Sequence, residues 1–215
     1  MACDVQKTDT RLAVVRVAAG PAAPRTLEST LRLPDAVDEI QFYPEIAGNA
    51  RGDVIAVWEQ FDGEHYRIWA NSRAAGQGWG KAIPIEKNPS GHAYNPQVAL
   101  NAHGSAIAVW VQADDAAGTR TVWSSRLETA TGWKEATPVD RLAAAAAYSP
   151  HVAIDDQGHA MAAWQHGDGG QRTLRINRSR VASGWGLASP VEAARDTPPA
   201  PLVRTGQPQR KPGQR

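Results

Sequence analysis

Three segments of the chain align with one another in register, and this self-similarity restricts the fold more than any other feature of the sequence. The first reads Tyr43-Pro44-Glu45-Ile46-Ala47, then Gly52, then Val54-Ile55-Ala56-Val57-Trp58. The second reads Asn95-Pro96-Gln97-Val98-Ala99, then Gly104, then Ala106-Ile107-Ala108-Val109-Trp110. The third reads Ser149-Pro150-His151-Val152-Ala153, then Gly158, then Ala160-Met161-Ala162-Ala163-Trp164. Each runs on to a Ser-Arg pair (Ser72-Arg73, Ser125-Arg126, Ser179-Arg180) and a Gly-Trp pair (Gly78-Trp79, Gly132-Trp133, Gly184-Trp185). A Pro-aliphatic pair closes each (Pro84-Ile85, Pro138-Val139, Pro190-Val191).

Each repeat holds four short β-like runs separated by Gly, Asp, Asn or Pro. In the second they span roughly 97–100, 105–112, 119–126 and 133–139. The runs are broken by Gly before a helix could complete three turns, which argues against a helical solenoid. Four antiparallel strands repeated at this period predict an all-β fold of β-propeller blades. The repeats occupy 43–94, 95–148 and 149–192. Residues 1–42 contain two further strand-like runs, Leu12–Val17 and Leu27–Leu33, read as outer strands of a preceding blade. The chain is thus expected to supply three to three and a half blades. The stretch 193–215 carries five basic residues and one acidic residue and few large apolar ones, so it reads as a disordered basic tail.

Composition excludes several classes of function. Lysine plus arginine number 23 against 22 aspartate plus glutamate, a formal net charge of +1, which argues against a nucleic-acid partner. No apolar run has the length of a transmembrane span. A single cysteine permits neither an internal disulfide nor a multi-cysteine zinc site. The six histidines lack close metal-ligand spacing, and no phosphate loop, dinucleotide fingerprint or nucleophile elbow occurs, so no metal or cofactor is expected. The opening Met1-Ala2-Cys3-Asp4 fits a lipid-attachment cysteine whose upstream signal is missing, against an ordinary thiol.

All eight tryptophans lie inside the repeats. Trp58, Trp110 and Trp164 end the second run, and Trp79, Trp133 and Trp185 open the fourth, where a flat side chain suits packing between blades. Trp69 and Trp123 lie on the third, where the last repeat is aligned with Asn177. The turn Ser72-Arg73-Ala74-Ala75-Gly76-Gln77-Gly78-Trp79 resembles the Asp-box, Ser-x-Asp-x-Gly-x-Thr-Trp, of sialidase-type propellers, with Ala74 for the Asp and Gly78 for the Thr. The Ser-to-Trp spacing is one longer in the second repeat and one shorter in the third. This resemblance implies a bacterial, exported, sialidase-like propeller. The arginine triad, Tyr nucleophile and acid of sialidase chemistry cannot be assigned here. The blades are also similar to those of fucose-binding propeller lectins, through the turn Gly76-Gln77-Gly78-Trp79; that likeness implies sugar-contacting roles for Arg67 or Arg73, Glu64 and Trp69.

The hairpin between the second and third runs holds an Asp, a Gly and a closing Arg in every repeat: Asp62 and Arg67, Asp114 and Arg120, Asp168 and Arg172. These form either a ring of acceptors and donors for a polar ligand or ordinary turn chemistry. Phe42, Tyr94 and Tyr148 stand two residues before each repeat's leading proline, placed either to stack a ligand or to fill a gap between blades. The candidate ligand-binding set is therefore Asp62, Glu64, Arg67, Trp69, Tyr94, Asp114, Arg120, Trp123, Tyr148, Asp168 and Arg172. With no catalytic set, the expected role is non-enzymatic binding of a glycan or protein on the loop face. The alternatives are a fragment of a propeller hydrolase or lyase, or a purely structural repeat module. Three blades do not close a ring, so the chain is expected to be either part of a longer propeller or one half of a six-bladed homodimer.

Overall fold

The computed structural model describes residues 43–88, 91–140, 146–168 and 170–191, the side chains of Asp168 and Gln171 excepted, and the backbone of strands at 3–9, 12–17 and 29–32. The side chain of Cys3, Phe42 and the stretch 193–215 lie outside the described residues. Every regular element described is a strand. No helix among the described residues is long and apolar enough to cross a membrane. Near the N-terminus, β1 (Cys3–Asp9), β2 (Leu12–Val17) and β3 (Ser29–Arg32) form their own antiparallel sheet.

Each repeat folds as a four-stranded antiparallel meander. Unit 1 comprises β4 (Glu45–Gly48), β5 (Val54–Phe61), β6 (Tyr66–Arg73) and β7 (Ile83–Pro84) in that order. Unit 2 comprises β8 (Ala93–Leu100), β9 (Ala106–Asp114) and β10 (Thr119–Glu128), with β11 (Gly132–Trp133) and β12 (Thr137–Pro138) both paired to β10. Unit 3 comprises β13 (Ala146–Ile154), β14 (Ala160–Asp168) and β15 (Gln171–Arg180), with β16 (Gly184–Trp185) and β17 (Ser189–Pro190) both paired to β15. The fourth run of the second repeat is thus two short bridges rather than one strand over 133–139. The first run is longer than the sequence suggests. β8 and β13 continue past their prolines through a bulge, at which Asn95 (φ 52) and Ser149 (φ 46) take left-handed backbone.

The units stack face to face, so the middle strands of units 1 and 2 are buried on both sides, whereas that of unit 3 is exposed on one face at Met161 and Gln165. The aliphatic face of unit 1 (Ile55, Val57, Ile68, Ile85) packs on the small-residue and tryptophan face of unit 2 (Ala93, Ala106, Ala108, Trp110). Val109, Val122 and Val139 of unit 2 then pack on Ala147, Ala162 and Trp164 of unit 3. Alternation along each strand explains the pattern, since Trp110 and Val109 point to opposite faces of one sheet.

The register corrects the sequence alignment of the third repeat by two residues. Trp69 faces Trp58, Trp123 faces Trp110, and the residue facing Trp164 is Arg175, not Asn177. Asn177 instead shares its place with Asn71 and Ser125. These three side chains donate to the carbonyls of Gly186 (3.0 Å), Gly80 (3.0 Å) and Lys134 (2.6 Å), nine residues on in each case. This bond, rather than an Asp-box aspartate, ties the third strand to the Gly-Trp turn. The serines of the Ser-Arg pairs fall at different register positions, which is why their distance to the tryptophan varied.

A second recurring bond links the units through their first hairpins. Asn49 Nδ2 donates to the Asn101 carbonyl (3.0 Å), and Asn101 Nδ2 donates to the Asp155 carbonyl (3.1 Å). Asn101 Oδ1 also accepts from the His103 and Ser105 amides, both at 3.0 Å. Asn101→Ala removes all three bonds at a buried site. It is expected to lower unfolding free energy by about 1–3 kcal/mol in denaturant titration.

Candidate functional site

The hairpin of unit 1 consumes much of its own charge. Asp62 Oδ1 accepts from the amides of Glu64 (2.9 Å) and His65 (2.8 Å), and Oδ2 accepts from Arg67 Nε (2.8 Å). Burial pushes the Asp62 carboxyl up, but these bonds outweigh it and hold the group below the ordinary carboxylate range. Arg67 reaches on to Glu86 (3.4 Å) and to the Asn88 carbonyl, so it anchors the connection that leads into unit 2. Glu64 is exposed. In unit 2, Asp114 Oδ1 accepts from the Ala117 amide (3.0 Å) and Arg120 is exposed. In unit 3, Arg172 donates to Gln165 (3.1 Å) and lies 4.8 Å from the centroid of the Tyr148 ring. The Asp168 side chain lies outside the described residues.

Tyr94 stands in an aromatic cluster that sequence reading did not assemble. His92 lies 5.6 Å from both Tyr66 and Tyr94, 5.2 Å from His65, and Phe61 lies 5.2 Å from Tyr66. His92 Nδ1 accepts from the Tyr66 amide (3.0 Å), which sets its tautomer with the proton on Nε2. Burial, and then the charge of Asp115, raise the Tyr94 hydroxyl above its ordinary value. Beneath the cluster lies Glu59, whose Oε1 accepts from the Asn95 amide (2.6 Å) at the left-handed bulge. Burial pushes the Glu59 carboxyl up to about 7, with the Asn95 bond pulling the other way.

That value makes Glu59 a source of pH dependence. Its folded value exceeds the ordinary 4.5, so the folded chain retains a proton that the unfolded chain releases. The Glu59 contribution is full below about pH 4.5 and falls as pH rises to about 7, by an amount of order 3 kcal/mol. Glu59→Gln keeps an acceptor for Asn95 and is expected to remove this loss. Thermal melts should then show the variant more stable than the parent at pH 8 and equal to it at pH 4.

The two tryptophans of the candidate set differ in surroundings. Trp69 Nε1 is buried without a partner among the described residues. Trp123 Nε1 donates to Thr121 Oγ1 (2.9 Å), which fixes its ring on the wall of a cavity of about 510 Å³ between units 1 and 2. Trp110 and Trp133 share that wall, Ile83 and Pro84 oppose it, and Glu86, Lys134 and Glu135 supply charge. The Trp110 ring is fixed as well, Nε1 donating to Gln112 (3.1–3.2 Å being common to this and the Trp58–Gln60 pair).

Comparison with the next junction shows why this cleft is open. Between units 2 and 3, Asn177 Nδ2 crosses to the Val139 carbonyl (2.7 Å) and Trp185 Nε1 donates to Ser124 Oγ (2.7 Å). Arg175 there donates to the Ala188 carbonyl (3.1 Å) and lies 3.9 Å from Asp140. In the first junction the corresponding residues are Ser125, Ala70 and Trp123. Ser125 bonds within its own unit, Ala70 offers Trp133 no hydroxyl, and Trp123 brings a ring in place of a bridging guanidinium. Trp133, placed by the sequence among the residues that pack between blades, lines this cleft. The cavity depends on differences between the repeats, not on the features they share.

No protein-family model matches the chain, and no curated protein sequence matches it. Among solved structures, the chain is similar to one described as a new family of polysaccharide lyase PL25, an ulvan lyase, bound to -[GlcA(1-4)Rha3S]-. The TM-score is 0.52 and the identity 13%, over 81% of this chain and 48% of that one. A second structure of the ulvan lyase gives a TM-score of 0.51, at 13% identity and the same coverage. The likeness is therefore one of fold, and the chain spans about half the length of the lyase chains it matches, 48% in both cases.

Proposed function

We propose that the three units are blades of a β-propeller and that the cleft between units 1 and 2 binds a saccharide without transforming it. The observation that carries this reading is the cavity of about 510 Å³ walled by Trp110, Trp123 and Trp133. Its size falls within the range of small-ligand sites, and indole faces suit the apolar faces of sugar rings. Lys134 and Glu135, both exposed at its edge, supply hydrogen-bonding groups for hydroxyls.

The experiment is a titration of the full chain with soluble polysaccharides, including a sulfated glucuronorhamnan of the kind bound by the lyase of similar fold. Saturable binding that Trp123→Ala weakens at least about tenfold supports the reading. Binding that survives both Trp123→Ala and Trp133→Ala contradicts it.

The second reading, part of a longer propeller lyase, draws on the His92, Tyr66 and Tyr94 cluster, which gathers groups able to move protons. Incubation with the same polysaccharides distinguishes the two. New ultraviolet absorbance from unsaturated ends, lost in His92→Ala, would replace the binding reading with the enzymatic one.

A further inference from the structure

Both internal junctions join the same two kinds of face, and unit 3 carries one of them uncovered. Register places Met161 and Leu174 of unit 3 where unit 1 has Ile55 and Ile68. The Val191 amide donates to the Leu174 carbonyl (2.8 Å) as the Ile85 amide does to Ile68 (2.9 Å). In unit 1 these positions are 1%, 0% and 5% exposed, whereas Met161, Leu174 and Val191 are 45%, 48% and 42% exposed.

A polar feature of the junction recurs there too. Arg126 leaves unit 2 to donate to the Gly158 carbonyl (2.7 Å) and to Ser179 Oγ (3.0 Å) of unit 3. Arg178 holds the same place in unit 3, its carbonyl accepting from the Gly186 amide (3.0 Å) as that of Arg126 accepts from Lys134 (2.8 Å). It is exposed, on the edge of a groove of about 400 Å³ that Met161 and Asp155 also line. Asp155 stands where Asn49 and Asn101 extend an amide to the next unit. A carboxylate cannot donate, and Asp155 already meets the His159 amide (2.8 Å) and ring (3.3 Å), so the amide bond of the other junctions is not repeated by this side chain.

From the continuity of this face with the two built junctions, we infer that it docks a fourth unit of the same repeat. That unit would present a second-strand tryptophan flanked by alanines and a glycine turn whose carbonyl takes Arg178. The inference is independent of the saccharide reading, since it concerns the face of unit 3 turned away from unit 2, whereas the cleft lies between units 1 and 2.

The test lengthens the full chain by a duplicate of residues 141–191 placed after Val191 and follows alkylation of Met161→Cys in a Cys3→Ser background. The rate is expected to fall at least about tenfold on extension, in proportion to the rarity of local opening. Leu174→Cys should behave alike. Leu187→Cys should keep its rate, because the corresponding Lys81 and Glu135 remain exposed beside their neighbours. Making Trp164→Asp in the duplicate alone should restore labelling. Unchanged labelling in the extended chain overturns the inference, whether the duplicate folds elsewhere or stays unfolded, because docking is what would order it. Protection in the unextended chain that grows with protein concentration also overturns it, assigning the face to a second copy.

Discussion

Trp110→Ala is expected to lower the unfolding free energy by about 3–5 kcal/mol, the largest loss of any single substitution discussed for this chain. The side chain is fully buried at the junction of units 1 and 2, against aliphatic residues of one and alanines of the other. Its removal leaves a void that two stacked sheets cannot close without shifting against each other, and it leaves Gln112 Oε1 without the indole donor. Trp110→Phe separates these costs, because it keeps most of the volume and loses the bond. Trp164 provides the contrast. Its Nε1 has no partner among the described residues, and His166 stands where the other units have Gln60 and Gln112. Trp164→Phe should therefore cost less than Trp110→Phe in the same denaturant titration.

The second large effect concerns the cleft. Replacing Ser125 by Asn and Trp123 by Arg places in the first junction the groups that bridge the second. Asn at 125 can cross to the Ile85 carbonyl as Asn177 crosses to Val139, and Arg at 123 can pair with Glu86 as Arg175 approaches Asp140. The double variant is expected to fold with stability within about 1–2 kcal/mol of the parent, the range of exchanges that keep packing and polar partners. Saccharide binding should fall by more than about tenfold, through loss of both the ring and the space. This combination discriminates better than an alanine truncation, which enlarges the cavity while removing its wall.

The repeat pattern carried the all-β architecture, because glycine turns, alternating apolar positions and paired tryptophans leave little else for a chain to form. It did not carry the register. Ser72, Ser125 and Ser179 look equivalent in sequence, yet the positions facing Ile55, Ala108 and Ala160 are different places in the meander. The side chain with constant geometry is Asn71, Ser125 or Asn177, whose identity varies while its hydrogen bond does not. The left-handed bulges at Asn95 and Ser149 were equally hidden, since a proline preceded by Asn or Ser also suits an ordinary turn.

The polar hairpins were legible as a recurrence, but their use was not. Asp62 accepts three bonds from its own turn, and Arg67 spans from that turn to the inter-unit connection. Glu59 could have been noticed as a single acid inside the apolar run Val54–Phe61. The His92 contacts could not, because that histidine has no counterpart in the other repeats and meets Tyr66 only across the junction of two units. The cleft needed three substitutions to be compared at register positions that the alignment had shifted by two in the third repeat.

The most direct measurement is calorimetric titration of one polysaccharide into the parent chain and into the Ser125→Asn, Trp123→Arg double variant, with thermal melts of both. The account predicts saturable binding to the parent, loss of binding in the double variant, and melts that stay close together. Equal binding by two well-folded proteins would contradict it and move the site away from the cleft.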